Sequence, residues 1–189
     1  MRDGRLGYMD TPAQGNVRPD GVTWAADNGR YGKGWPGETA WCAWLTANMA
    51  DAAQCAFATA PDVVGDAEAT LVESLPWLPR IRALGYPAAL VAQDGLTPDA
   101  TPWDAIDVLF IGGTTGWKLG RHARALVAEA QRRIKPVHMG RVNSGRRYRY
   151  AAAIGCNSAD GTYLTFGPDA NLPKLLAWQT PTLPIGALA

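Results

Sequence analysis

A short apolar run, then a polar glycine-bearing loop, then a helical pattern: this unit recurs along the chain and constrains its fold more than any other feature. It is the signature of parallel strands joined by helical crossovers. The runs are Leu6–Asp10, Val22–Ala26, Ala56–Ala60, Ala88–Ala92, Asp107–Ile111, Pro136–Gly140 and Ile154–Ser158. Between them, residues 38–54 read as one helix with Trp41, Trp44, Leu45 and Ala52 on a common side. Asp66 reads as the N-cap of a helix running toward Leu84, kinked or divided by Pro76 and Pro79 and stopped by Gly85. Residues 121–133 carry a stripe of Ala123, Leu126, Val127, Ala130 and Ile134. A short basic helix over 145–153 and a terminal helix over 171–178 complete the series. The tail TPTLPIGALA is expected to pack loosely or fray.

Seven strands in one parallel series favour a barrel over an open sheet. The Gly-x-Gly-x-x-Gly fingerprint of a doubly wound dinucleotide fold is absent after the first strand. A full eight-stranded barrel usually takes about 250 residues. The expected fold is therefore an α/β chain, a compact or incomplete TIM (β/α) barrel, with residues 1–189 as a single domain.

Composition narrows the function classes. No stretch of 18 apolar residues exists, so no membrane span is expected, and the opening MRDGRLGYMD lacks the apolar core of a secretory signal. Cys42, Cys55 and Cys156 are scattered and odd in number, which argues against a disulfide framework and for a reducing, cytoplasmic setting. Their spacing does not suit a zinc site, so neither metal nor cofactor is expected. Charge is unevenly placed. Arg132, Arg133, Lys135, Arg141, Arg146, Arg147 and Arg149 fall between Ala130 and Ala159 with no acid among them, leaving the remainder net acidic. Such a block attracts phosphate backbones, or simply solubilises a helical face.

Polar residues gather where strands end. Asp27, Asp62, Gln93, Gly112, Gly113, His138, Met139 and Asp160 all lie at or near the carboxyl ends of expected strands, the face on which parallel barrels build their sites. Carboxylates brought to one mouth can divide the work of nucleophile, proton carrier and recognition group. Each also has a plainer use. An aspartate after a strand forms turns or caps helices, paired glycines relieve crowding, and a strand histidine is often a hydrogen-bonded core residue. Trp35 and Trp117, expected in loops near the mouth, are candidates to stack on a base.

Six segments, in order, carry a resemblance to a known family: ADNGRYGKG at 26–34, FATAPDVVGD at 57–66, LVAQDG at 90–95, FIGGTTGWKLG at 110–120, HMGRVNS at 138–144 and GCNSADGTYLTFGPDANLPKL at 155–175. Together they resemble the queuine/archaeosine tRNA-guanine transglycosylase superfamily. The nearer likeness is to the small queuine tRNA-ribosyltransferase-like proteins of actinobacteria and their phages, a group similar to deazapurine DNA-modification proteins. The resemblance implies exchange of guanine for a 7-deazaguanine in a nucleic acid, DNA or tRNA, through a covalent aspartyl-glycosyl intermediate. It implies Asp160 as nucleophile and Asp27 as general acid and base. Asp62, Gln93, the Gly112-Gly113 backbone, His138 and Met139 would then hold the base, with Met139 packing on its face. Arg141, Arg146, Arg147, Arg149 and Lys118 would hold the nucleic-acid backbone. The Cys-x-Cys-x-x-Cys zinc cluster of the larger members and the Pro-Thr-Arg flank of their nucleophile are absent from this chain. N-glycosidic hydrolysis, or binding of a deazapurine or nucleic acid without catalysis, remain open on the same residues.

Overall fold

A computed structural model describes residue 1 and residues 3–179. Seven strands form one sheet in strictly sequential order, β1 (Tyr8–Asp10), β2 (Trp24–Ala26), β3 (Cys55–Thr59), β4 (Ala88–Ala92), β5 (Val108–Ile111), β6 (Val137–Met139) and β7 (Ser158–Ala159). Every neighbouring pair is parallel. The sheet curls strongly into an incomplete barrel flanked by helices. Among the described residues β1 pairs only with β2 and β7 only with β6, so the barrel stays open along one seam.

Alternation along each strand sorts the side chains into two clusters, because successive side chains in a strand point to opposite faces. Trp24, Ala26, Ala58, Leu90, Leu109, Ile111, Val137 and Met139 face outward and merge with the helices in the larger core. The helices are α1 (Glu38–Ala47), α2 (Ala67–Ser74), α3 (Trp77–Ala83), α4 (Thr115–Lys118), α5 (Arg121–Arg132), α6 (Gly145–Ile154) and α7 (Pro168–Trp178). They contribute Trp41 and Leu45 from α1, Leu78 and Ile81 from α3, and Leu126, Val127 and Ala130 from α5. The barrel bore holds a smaller cluster, Ala25, Phe57, Ala89, Val91, Val108 and Phe110, with Met9 against it. Both faces are covered, which is why β4 and β5 read as unbroken apolar runs rather than alternating ones.

Local chemistry sets the boundaries. Asp66 caps α2 by accepting the Ala69 N–H at 3.0 Å, as its place in the sequence suggests. Pro76, whose ring excludes a backbone N–H, divides α2 from α3, and Gly85 stops α3 at a φ of 89°. Strand ends shift by one or two residues from the sequence reading, and four differences are larger or change a side chain's place. The helix expected over 38–54 ends at Ala47 and continues as a 3-10 turn, Met49–Gln54. The seventh strand is Ser158–Ala159, because α6 runs on to Ile154 and closes on Gly155 in the left-handed region. The terminal helix starts earlier, with Pro168 in its first turn, where a missing N–H costs nothing. Ile134 does not join the buried stripe of α5. The helix ends two residues before it, and Ile134 turns through a φ of 56° with its side chain 90% exposed. The expectation for the tail concerns residues 180–189, outside the described residues. No helix among the described residues is long and apolar enough to cross a membrane.

Candidate functional site

The mouth is built at the carboxyl ends of the strands, where the period-two alternation that fills the bore continues with polar residues. Below the rim lies a closed network. Asn28, following β2, donates from Nδ2 to the Ala60 carbonyl at 2.8 Å and to Asp62 Oδ1 at 3.1 Å. Its backbone N–H donates to Thr59 Oγ1 at 2.9 Å. Gln93, following β4, donates from Nε2 to Asp62 Oδ2 at 2.6 Å. Gln93 Oε1 accepts the N–H groups of Gly65 and Gly113 at 2.9 and 3.0 Å. Asn28, Asp62 and Gln93 are all buried. Such a network is rigid when every member is partnered, and this one ties the loops after β2, β3, β4 and β5 together. Burial nonetheless raises the Asp62 carboxyl above its ordinary range, against the pull of its bonds to Asn28 and Gln93.

Asp27 and Asp160 complete a trio of carboxylates. Asp27 is half-buried and accepts the Gly29 N–H at 3.0 Å. Its pKa is pushed up to about 6, first by burial and then by the charges of Asp160 and Asp62, with the Gly29 N–H pulling the other way. A carboxyl so placed takes up and releases its proton near neutral pH. Asp160 follows β7 and keeps 27% of its side chain exposed. Its Oδ1 lies 3.0 Å from His138 Nε2, while Nδ1 of the same ring lies 2.8 Å from Ser158 Oγ. His138 stands in the bore between Phe57 and Phe110, with ring centroids 4.9 and 4.8 Å away.

The two glycines of β5's loop have physical reasons to be glycine. A Cβ on Gly112 would stand 2.7 Å from Val91 Cγ1 and 3.0 Å from Gln93 Nε2. Gly113 has a φ of 57°, and its Cβ would meet Trp117 Cε3 at 2.4 Å. Trp117 itself lies in α4, not in a loop, and packs beneath this turn.

Three assignments from the sequence require correction. Met139 is fully buried in the outer core, one residue out of phase with His138, so it is not placed to pack on a base. Lys118 is 1% exposed and donates from Nζ to the Gly140 carbonyl at 2.6 Å, which makes it a buried tie between α4 and the rim rather than a surface contact for phosphate. Burial, followed by the charge of Arg141, lowers its pKa to about 8. His138 spends both ring nitrogens on Ser158 and Asp160 and so meets the nucleophile candidate rather than a base edge.

The arginines divide. Arg141 adopts a φ of 59°, donates from Nη2 to the Gly113 carbonyl and, at 3.3 Å, to that of Gly112, and sets its guanidinium 3.9 Å over the ring of Tyr31. It thus braces the rim, and Tyr31 stays 62% exposed above it. Arg146 and Arg149 lie exposed on α6, Arg147 is half-buried, and none of the three pairs with a carboxylate among the described residues. Trp35 is covered by the Arg30 guanidinium, 4.5 Å from its ring.

Sequence reasoning missed Asn28 and Ser158. Asn28 sits in Asp27-Asn28-Gly29, which reads as a turn, and only the buried acid across the rim reveals its task. Ser158 carries no signal until its strand is placed beside β6. A cavity of about 470 Å³ lies along the seam between β1 and β7, and Tyr8, Met9, Phe57, His138, Ser158 and Asp160 are among its lining. Asp160 therefore faces both the mouth and the seam. Among the described residues no three His, Cys, Asp or Glu side chains gather closely enough to hold a metal ion.

No protein-family model matches this chain. No curated protein matches it either. A solved structure described as "PaMucR Phosphodiesterase, c-di-GMP complex" is similar in backbone, with a TM-score of 0.45 and 16% sequence identity over 75% of this chain. The likeness spans 60% of that structure's chain.

Proposed function

We propose that this chain is a base-exchange glycosyltransferase that replaces guanine by a 7-deazaguanine in a nucleic acid, the activity its resemblance to the tRNA-guanine transglycosylases implies. The observation that carries the reading is the meeting of Asp27, Asp62 and Asp160 at one mouth, where burial first, and then the charges of Asp160 and Asp62, lift the Asp27 carboxyl to about 6. Three carboxylates in different surroundings suit three tasks.

In this mechanism Asp160 attacks the anomeric carbon of a guanosine unit. A carbon–oxygen bond forms, the bond to the guanine nitrogen breaks, and its electron pair leaves with the base. Asp27, in its protonated form, gives that base its proton. Asp62 and Gln93 hold the base edge through the carboxylate lone pairs and the second Nε2–H that their network leaves over, with Asn28 keeping the Asp62 carboxylate in place. A 7-deazaguanine then enters, loses its ring N–H proton to Asp27 and displaces Asp160. Two displacements retain the configuration at the sugar. The target base must leave its stack to reach the mouth. Arg146 and Arg149 supply exposed, unpaired cations for the polymer backbone beyond the rim.

The test is incubation with labelled guanine and, separately, with DNA oligonucleotides and with tRNA. Incorporation of label into either polymer, abolished by Asp160→Asn, is the expected result and names the polymer. Base release without incorporation identifies a hydrolase instead. Saturable base binding with no turnover on any substrate identifies a binding protein, and both of these outcomes overturn the proposal.

A further inference from the structure

We infer that His138 is a positioning residue for Asp160, and that Ser158 in turn sets the proton arrangement of His138, so that one carboxylate oxygen is held and the other is presented for attack. The inference rests on the transglycosylase reading for its consequence in the reaction, but its structural part stands on geometry alone.

The imidazole has few freedoms. It is 4% exposed and lies between Phe57 and Phe110, whose rings close the space on either side. In that slot Nε2 is 3.0 Å from Asp160 Oδ1 and Nδ1 is 2.8 Å from Ser158 Oγ. A nucleophilic carboxylate has no proton to donate, so Nε2 must carry the hydrogen. In the neutral ring Nδ1 is then the acceptor, and the Ser158 hydroxyl donates to it. Ser158 is the last residue that could enforce this, because no other side chain among the described residues bonds to Nδ1. The backbone reinforces the register: His138 pairs with Ser158 across β6 and β7, and the Asp160 N–H donates to the Met139 carbonyl at 3.2 Å. A serine two residues before the acid is thus fixed on the same inner face as the acid, with the imidazole spanning both.

The consequence is an asymmetric carboxylate. Oδ1 is committed to Nε2–H, whereas Oδ2 has no hydrogen bond among the described residues. On attack, Oδ2 forms the bond to the anomeric carbon, and Nε2–H keeps Oδ1 from rotating into competition. The same bond steadies the carboxylate again when the incoming base displaces it. No proton is exchanged along Ser158–His138–Asp160 in this scheme. The histidine orients, and Asp27 handles the proton.

Two measurements separate this inference from the activity on which it builds. Nitrogen-15 NMR of the full chain reads the His138 tautomer without any substrate. The expected spectrum has a protonated Nε2 and an unprotonated Nδ1, and Ser158→Ala shifts the Nδ1 resonance. A neutral ring protonated at Nδ1, or a ring protonated at both nitrogens, overturns the inference whatever the protein catalyses. Exchange kinetics then test the consequence. His138→Phe is expected to lower kcat about 100-fold, the scale of a reacting group displaced by an ångström, with KM little changed. His138→Gln, which returns an amide donor toward Oδ1, is expected to recover part of the loss. Circular dichroism and urea unfolding verify that each variant folds, and Ser158→Ala at the exposed edge strand serves where His138→Phe does not. Wild-type kcat in folded His138→Phe overturns positioning, while absence of exchange in the wild type overturns the transglycosylase reading and leaves the tautomer result in force.

Discussion

Replacing Asp27 by asparagine tests whether the mouth strains the fold. The native carboxyl titrates near 6 rather than at its ordinary 3.8, chiefly because it is buried and then because Asp160 and Asp62 stand nearby. An acid whose folded pKa is raised binds its proton more tightly folded than unfolded. Its ionisation therefore removes stability as pH rises through the window from 3.8 to about 6. The span corresponds to a penalty of at most about 3 kcal/mol, trimmed to about 1–3 kcal/mol by the water that still reaches a half-buried side chain. Asp27→Asn keeps an oxygen for the Gly29 N–H but carries no charge. The variant is expected to match the wild type below pH 3.8, gain on it through pH 6, and exceed it by about 1–3 kcal/mol at pH 8. Urea unfolding of both proteins at half-unit steps from pH 3.5 to 8 measures the gap. A variant no more stable than the wild type at pH 8, or a gap that does not change with pH, refutes the reasoning. Lost exchange activity with gained stability is the trade expected of a catalytic carboxyl.

Other expectations follow from single contacts. Gln93→Leu strands Asp62 Oδ2 and the N–H groups of Gly65 and Gly113, and urea unfolding should show a loss of about 3–6 kcal/mol; a loss under about 1 kcal/mol would mean water replaces the network. Gly113→Ala drives a Cβ against Trp117 at a left-handed backbone, so its Tm should fall by the equivalent of about 2–4 kcal/mol, and an unchanged Tm would show that the turn is free to move. Arg146→Ala/Arg149→Ala should weaken oligonucleotide binding about equally across sequences and reduce the slope of log affinity against log salt by about 2. Wild-type affinity and slope in that double variant would assign the exposed arginines to solubility alone.

Much of the architecture was legible in the chain because it depends on local pattern. Fully apolar runs as short as Ala88–Ala92, set between Pro87 and Gln93-Asp94-Gly95, suit strands buried on both faces, and Asp66 and Gly85 mark helix ends by chemistry that acts within one turn. The gathering of Asp27, Asp62, Gln93 and Asp160 at one mouth followed from strand direction: parallel strands bring their carboxyl ends together. Boundaries set by competition between elements were harder. Residues 154–157 suit a strand, but α6 extended into them, since a growing helix gains a hydrogen bond per residue until Gly155 ends it.

Sequence by itself determined that this is a parallel α/β chain with acids and amides at its strand ends. Tertiary structure decided which atoms those groups face. His138 and Met139 are neighbours in sequence, yet one enters the bore and the other the outer core, because a one-residue step in a strand reverses the side chain. Lys118 and Arg146 are both cations that the sequence assigns to a nucleic-acid backbone, yet Lys118 is buried against the Gly140 carbonyl and Arg146 remains in water. Which cation finds a buried acceptor depends on a carbonyl 22 residues away, and no local pattern carries that information. The same is true of Asn28 and Ser158, whose partners come from other strands.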